Sequence, residues 1–201
     1  MKIDCSVLIL AAGTSSRMGL PKPLLKTNNN VSFLEHITSI YSEFGCSRIV
    51  FVMNTDGKLL KKELIFPDRS VIVTNQYPEL GRFNSIIMGL SQVETKYVFI
   101  QNIDNPTVDK NILLNLYNNR KGFDIVKPRY QGVGGHPILI SNQVIYDIVN
   151  EGNIGIRLNE FLKKYKTKYI DVSVDSVLTN INTKEDYQKY YEENHEIMIN
   201  K

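Results

Sequence analysis

Arg17, Lys22 and Asp104 are the side chains whose type and placement best suit work on a phosphorylated ligand. Arg17 and Lys22 share one polar loop, reached directly from the apolar run 7–10 through the small-residue turn Ala11-Ala12-Gly13. A buried strand ending at such a turn frees backbone amides. Small residues let a ligand come close, and two cations can converge on it. That arrangement suits a nucleoside triphosphate. The two commonest nucleotide loops are excluded by spacing. Gly13 and Gly19 enclose five residues rather than four, and Lys22 is followed by Pro23 rather than Ser or Thr. Gly13 also lacks the glycine two residues on that a dinucleotide fingerprint needs. A helix cannot begin until after Pro21 and Pro23, so the loop is long and wraps its ligand.

These side chains need elements to hold them. Short apolar runs alternate with helical patterns, which predicts an α/β fold: a three-layer, Rossmann-like arrangement with a mostly parallel central sheet and helices on both faces. Strands are expected at 6–10, 48–53, 70–74, 97–101, 124–128, 137–140 and 169–174. The first helix opens on a capping box, Ser32 with Glu35, ahead of Leu34, Ile37, Ile40 and Tyr41 at helical spacing. Further helices are expected at 56–64, 84–92, 109–119, 142–149, 156–164 and 183–193, with a frayed tail from 195 to 201. In open α/β sheets ligands bind at the carboxyl ends of strands. Three loops carry chemistry there: the one after Leu10, the one holding Asn75, Gly81, Ser85 and Gly89, and Asp104-Asn105-Pro106.

Composition narrows the function classes. A chain of 201 residues suggests one domain, here 1–201, and 42% hydrophobic with 22% charged residues describe an ordinary globule. A net charge of +3 is too mild to argue for nucleic acid. Cys5 and Cys46 fit reduced, buried thiols, and with three scattered histidines they form no zinc spacing. The N-terminus lacks a signal-peptide core and no apolar run would span a bilayer, so the expectation is a cytoplasmic protein. The oligomeric state leaves no trace in the sequence.

Leu10-Ala11-Ala12-Gly13, then Ser16-Arg17-Met18-Gly19, then Pro21-Lys22-Pro23-Leu24-Leu25 resembles the opening signature of the molybdenum-cofactor nucleotidyltransferase-like family. That family includes the cytidylyl- and guanylyltransferases of molybdopterin. The signature loop covers 8–25, and the resemblance continues in order to about Tyr187. It implies a magnesium-dependent enzyme that moves a nucleoside monophosphate from a triphosphate onto a phosphomonoester such as molybdopterin, releasing pyrophosphate. Lys22 would contact the phosphates and Arg17 brace the leaving pyrophosphate. Asp104-Asn105-Pro106 matches an Asp-x-Pro that holds the metal, although a turn aspartate ahead of a helix has the same look. Leu10, Ala11, Ala12 and Gly13 would lie against the nucleotide. Ala-Ala-Gly resembles the cytidylyl-type members and Ala-Gly-Gly the guanylyl-type, which favours CTP. Asn75, Gly81 and Ser85 resemble the family's Asn followed by a Gly-x-x-x-Ser loop, where helix N-terminal amides hold an anion or a base carbonyl. Asn84 or Ser85 equally suits a helix N-cap.

The second distinctive stretch is Arg129-Tyr130-Gln131-Gly132-Val133-Gly134-Gly135-His136-Pro137. It is read as a glycine loop between two strands. Gly-His-Pro resembles the cytidylyltransferase branch and implies that Gly135 and His136 face the acceptor, His136 orienting it rather than acting as a general base. Arg157, in Gly152-Asn153-Ile154-Gly155-Ile156-Arg157, would meet an acceptor phosphate. Asn153 stands where cytidylyl-type relatives carry Asp. Asn182, in Asn180-Ile181-Asn182-Thr183-Lys184-Glu185-Asp186, would give a second metal contact; it replaces a frequent Asp, and Lys184 replaces a usual Pro. Asn182 and Thr183 also read as a plain helix cap. Two other functions remain open on these residues: a sugar-phosphate or phosphocholine nucleotidyltransferase, or a nucleotide-binding protein that no longer transfers.

Overall fold

The computed structural model describes residues 3–13, 18–55, 64–153 and 155–199. Its centre is β1, Cys5–Ala11, buried along its whole length. CSVLILA carries no charge and shows apolar side chains to both faces, as a strand covered on both sides must. Val7 and Ile9 enter one core layer, Leu8 and Leu10 the other. β1 pairs in parallel with β2, Arg48–Asn54, and with β4, Tyr97–Asn102; β3, Ser70–Asn75, lies parallel beyond β2.

On the other side of β4 the sheet turns antiparallel. β7, Ile138–Ser141, is antiparallel to both β4 and β5, Ile125–Tyr130. The edge holds β6, Val133–Gly134, antiparallel to β5, while β8, Thr167–Asp171, runs parallel to β5. The eight strands form one sheet in the order β3-β2-β1-β4-β7-β5-β6, with β8 beside β5. Among the described residues four of its seven pairings are parallel.

Helices cover both faces. α1, Phe33–Phe44, carries the expected capping box: Glu35 N donates to Ser32 Oγ and Ser32 N donates to the Glu35 carboxylate. α1 packs on one face with α3, Lys110–Asn118, and α6, Lys184–Ile199. α2, Arg82–Leu90, α4, Asn142–Val149, and α5, Leu158–Phe161, cover the other. Gly89 lets α2 approach closely, because a Cβ there would stand 2.3 Å from a Leu8 methyl of β1. Cys5 and Cys46 are buried free thiols with their sulfurs 3.4 Å apart.

Several expected boundaries move. α2 starts at Arg82 rather than residue 84, because Gly81, at φ 91°, swings the chain into the helix without a side-chain cap; neither Asn84 nor Ser85 is the cap. The glycine loop contains a hairpin, Tyr130 pairing with Val133 across Gln131 and Gly132, both at positive φ. The helix expected over 156–164 shrinks to α5 and a 3-10 turn, Leu162–Lys164, with Arg157 as the residue before the helix. β8 begins at Thr167, ahead of the expected 169, where it can pair with β5. α6 runs on to Ile199, through residues assigned to a frayed tail. The helix expected at 56–64 falls almost wholly outside the described residues.

Candidate functional site

The chain lays down β1, β2 and β3 in one direction and then returns to place β4 on the other side of β1. The segments after β1 and β4 therefore diverge, and a crevice opens at their carboxyl ends, where ligands bind in such sheets. A cleft of about 350 Å³ occupies that place. Leu10, Ala11, Ala12 and Gly13 line one side of it and Gly81 and Ser85 another. Lys22, Asp104 and Asn182 line it as well, so three distant segments converge as the sequence reading required. Arg17 lies outside the described residues.

Lys22 sits in a 3-10 turn, Lys22–Leu24, set by the flanking prolines Pro21 and Pro23. Its ammonium is 2.8 Å from Asn182 Oδ1 and 3.4 Å from Asp104 Oδ2, with 13% and 24% of the Lys22 and Asp104 side chains exposed. Asp104 Oδ1 is buried and has no hydrogen-bond partner among the described residues. Asn105 holds this arrangement from behind: its buried Nδ2 donates to Thr179 O at 2.8 Å and to Ser176 O at 3.3 Å. Ile181 N donates to Asp104 O at 2.8 Å, which brings the next residue, Asn182, to Lys22. Thr183 and Asp186 take the capping role at α6: Asp186 N donates to Thr183 Oγ1, and the Asp186 carboxylate accepts from the amides of Asn182 and Thr183. Those two amides hold the Asp186 carboxyl below its ordinary range. Asn182 thus keeps its side-chain oxygen for the cleft.

Asn75 does not line the cleft. It is fully buried, donates from Nδ2 to Ser85 Oγ at 2.9 Å and accepts from Tyr77 N. Its place is behind Ser85, orienting that hydroxyl. Asn102 and Arg82, which sequence reasoning did not single out, line the cleft instead, with Arg82 Nη2 donating to Asn102 Oδ1. The signal available for Arg82 was its position next to Gly81 at a helix start.

A second cleft of about 990 Å³ adjoins the first, and Gly81 and Arg82 belong to both. Gly135, His136 and Arg157 all line it, so the residues expected on the acceptor side do come together. Gly135 is demanded by packing: a Cβ there would be 2.5 Å from Val177 O. The peptide bond from His136 to Pro137 is cis. Burial, with the nearby Arg82 and Lys127 cations, pulls the His136 imidazole down to about 4, and its buried Nδ1 has no partner among the described residues. Lys127 and Lys163, missed in the sequence, add positive charge to this cleft, with Lys127 Nζ over the Tyr169 ring at 4.9 Å. Arg129 lies there too, paired with Asp171 at 2.7 Å. Among its described lining residues there is no carboxylate. Asn153 lies off the cleft and accepts from Gly155 N at 3.1 Å, a turn role that its amide oxygen fills as a carboxylate would.

A strand-end cleft bearing a lysine, a carboxylate and a carboxamide, with a larger basic cleft beside it, is the kind of site in an α/β fold that suits phosphorylated ligands. The sequence profile of the MobA-like NTP transferase domain matches residues 7–167, and the chain belongs to that family. It is therefore a nucleotidyltransferase. Among similar proteins, the molybdenum cofactor cytidylyltransferase of Escherichia coli K12 is 27% identical over 186 residues, covering 92% of this chain and 93% of that protein. A probable molybdenum cofactor guanylyltransferase of Bacillus mycoides is 29% identical over 198 residues, covering 91% and 94%. In structure, the Rv0371C protein of Mycobacterium tuberculosis H37Rv, crystallised in complex with manganese, superposes with a TM-score of 0.75 at 18% identity, covering 94% of this chain and 99% of that one. No helix among the described residues is long and apolar enough to cross a membrane.

Proposed function

We propose that this enzyme transfers a nucleoside monophosphate, CMP from CTP, onto the phosphate of molybdopterin, with magnesium and as one catalytic domain in the cytoplasm. The observation that carries this reading is the Lys22 ammonium held between Asn182 Oδ1 and Asp104 Oδ2, beside the Ala11–Gly13 turn and next to the basic second cleft. The acceptor phosphate attacks the α-phosphorus and pyrophosphate departs in line, so the protein has to position the groups and offset charge. Lys22 neutralises phosphate oxygens; losing such a donor costs on the order of 3 kcal/mol in the transition state. Gly13 and the amides at the start of α2 receive the nucleotide, and Arg157 and Lys127 attract the acceptor. Neutral His136 orients the acceptor through hydrogen bonds.

The residues present suit a hard divalent ion. Asp104 Oδ1 is a buried oxygen without a partner among the described residues, and Asn182 Oδ1 is close by. Among the described residues no three His, Cys, Asp or Glu side chains cluster as metal ligands. Magnesium needs no such cage, since it binds through one or two carboxylates, waters and the substrate's own phosphates. Bound there, the ion would offset charge on the triphosphate. Support for CTP comes from Ala12, which lines the cleft and stands where guanylyl-type signatures have glycine.

The test is pyrophosphate release from CTP, GTP, ATP or UTP with magnesium and molybdopterin. CTP should react fastest. Asp104→Ala should lose turnover about 100-fold or more while unfolding at nearly the wild-type temperature. Preference for GTP would overturn the donor assignment, and turnover surviving in Asp104→Ala would overturn the metal assignment.

A further inference from the structure

Arg82 stands where the two clefts meet and lines both. It is the first residue of α2, so its backbone is set by the helix and by the Gly81 turn behind it. One corner of its guanidinium donates to Asn102 Oδ1, at the last residue of β4. Among the described residues that neutral amide is its one hydrogen-bond partner. A guanidinium carries five donors in a fixed fork, so most of the fork is available to a ligand. Asp104 acts on Arg82 from the donor side, yet Asp104 makes its ion pair with Lys22. On the acceptor side Arg82 acts on His136. Burial weakens the charged form of Arg82, and no carboxylate among the described residues lies within ion-pair distance of it. A desolvated cation without a paired counter-charge is costly, and a ligand oxyanion at the junction relieves that cost.

We propose that Arg82 is a catalytic residue that straddles the two subsites, its fork binding an oxygen of the donor's α-phosphate and an oxygen of the acceptor phosphate together. The inference rests on the transferase reading above. The reaction joins two anions that repel one another, and a single planar cation shared between them offsets the repulsion and fixes their approach in line. The acceptor oxygen forms the new bond to the α-phosphorus. The bond from that phosphorus to the bridging oxygen breaks, and its electron pair leaves with pyrophosphate. Arg82 gives up no proton.

Arg82→Gln and Arg82→Lys, measured with both substrates varied, test this. Arg82→Gln should lower kcat about 100- to 1,000-fold, with donor KM moving only a few-fold. Arg82→Lys should recover less than about a tenth of the lost rate, because an ammonium cannot span two oxygens as a fork does. A purely structural tie to Asn102 would instead lower the unfolding temperature and leave kcat within about threefold; that result overturns the proposal, as does full rescue by lysine. Calorimetric titration of CMP with inorganic phosphate present supplies a readout independent of turnover. Loss of that binding in Arg82→Gln, where the wild type binds CMP with phosphate but moves no CMP onto molybdopterin, would sustain the Arg82 contact and overturn the substrate assignment proposed above. Equal binding by both proteins would overturn the Arg82 contact.

Discussion

At the scale of the residue, His136 gives the clearest physical handle. Its imidazole titrates at about 4 in the folded protein against an ordinary 6.5, because burial and the neighbouring Arg82 and Lys127 disfavour the charged ring. Between those values the unfolded chain binds a proton that the folded chain refuses. The stability His136 contributes is therefore complete above pH 6.5 and falls as pH drops toward 4, by up to ~1.4 kcal/mol per pH unit. His36, also lowered by burial, acts with the same sign. Asp186, held low by backbone amides, loses its contribution only as pH falls through the carboxylate range, so the window from 6.5 to 5 reports on histidines. Urea unfolding at pH 7 and pH 5 should show a fall in stability for the wild type and a smaller fall for His136→Gln. An equal fall in both would mean that His136 is more hydrated than its surroundings indicate. Gly-His-Pro singled out His136, which lines the second cleft, but not its lowered pKa, since that depends first on burial in the folded chain and then on the Arg82 and Lys127 cations brought in by α2 and β5.

At the scale of the element, local signals and pairing separate cleanly. Ser32 and Glu35 announce the start of α1 because both partners of a capping box lie within one turn. Asp109 likewise caps α3, accepting from Asn111 N and Ile112 N. The start of α2 was misjudged because Gly81 turns the chain by its own backbone and leaves no side-chain signal. β8 starts two residues and ends three residues earlier than expected because its span follows from pairing with β5, a partner about 40 residues away in the chain. Asn105 is the element-scale residue that matters most. It ties the segment after β4 to residues 176–179 and so sets the reach of Asn182. Asn105→Ala leaves buried carbonyls unpaired and should cost ~1–3 kcal/mol. Turnover should fall as well, since Asn182 loses its fixed approach to Lys22. Thermal unfolding and kcat measured together check this; a destabilised variant with unchanged kcat would separate Asn182 from the reaction.

At the scale of the whole molecule, the cleft is assembled from the two core layers and from strand ends that no short segment contains. A nucleotide that bridges those parts should stabilise all of them together. With magnesium and CTP at a hundred times its dissociation constant, the gain is ~2.7 kcal/mol, roughly 5–10 °C for a chain of this size. Lys22→Ala should lose most of that shift, and an undiminished shift would remove Lys22 from the phosphate site. The sequence by itself determined the floor of the cleft and its charges. A strand buried on both faces has to be uniformly apolar, and the turn after it has to be small for a ligand to approach; Val7 through Gly13 carry both requirements in adjacent residues, and Lys22 supplies a charge nine positions on. It also announced Asp104, Asn182 and His136 through short motifs. Only the tertiary structure decided which distant groups meet: Asn182 against Lys22 across 160 positions, Asn75 behind Ser85 rather than in the cleft, and Arg82 at the junction of two clefts. Long-range contacts like the first are set by the return of the chain to β4 and by the hydrogen bonds from Asn105 to Ser176 O and Thr179 O. They have no period or spacing that a local pattern could reveal.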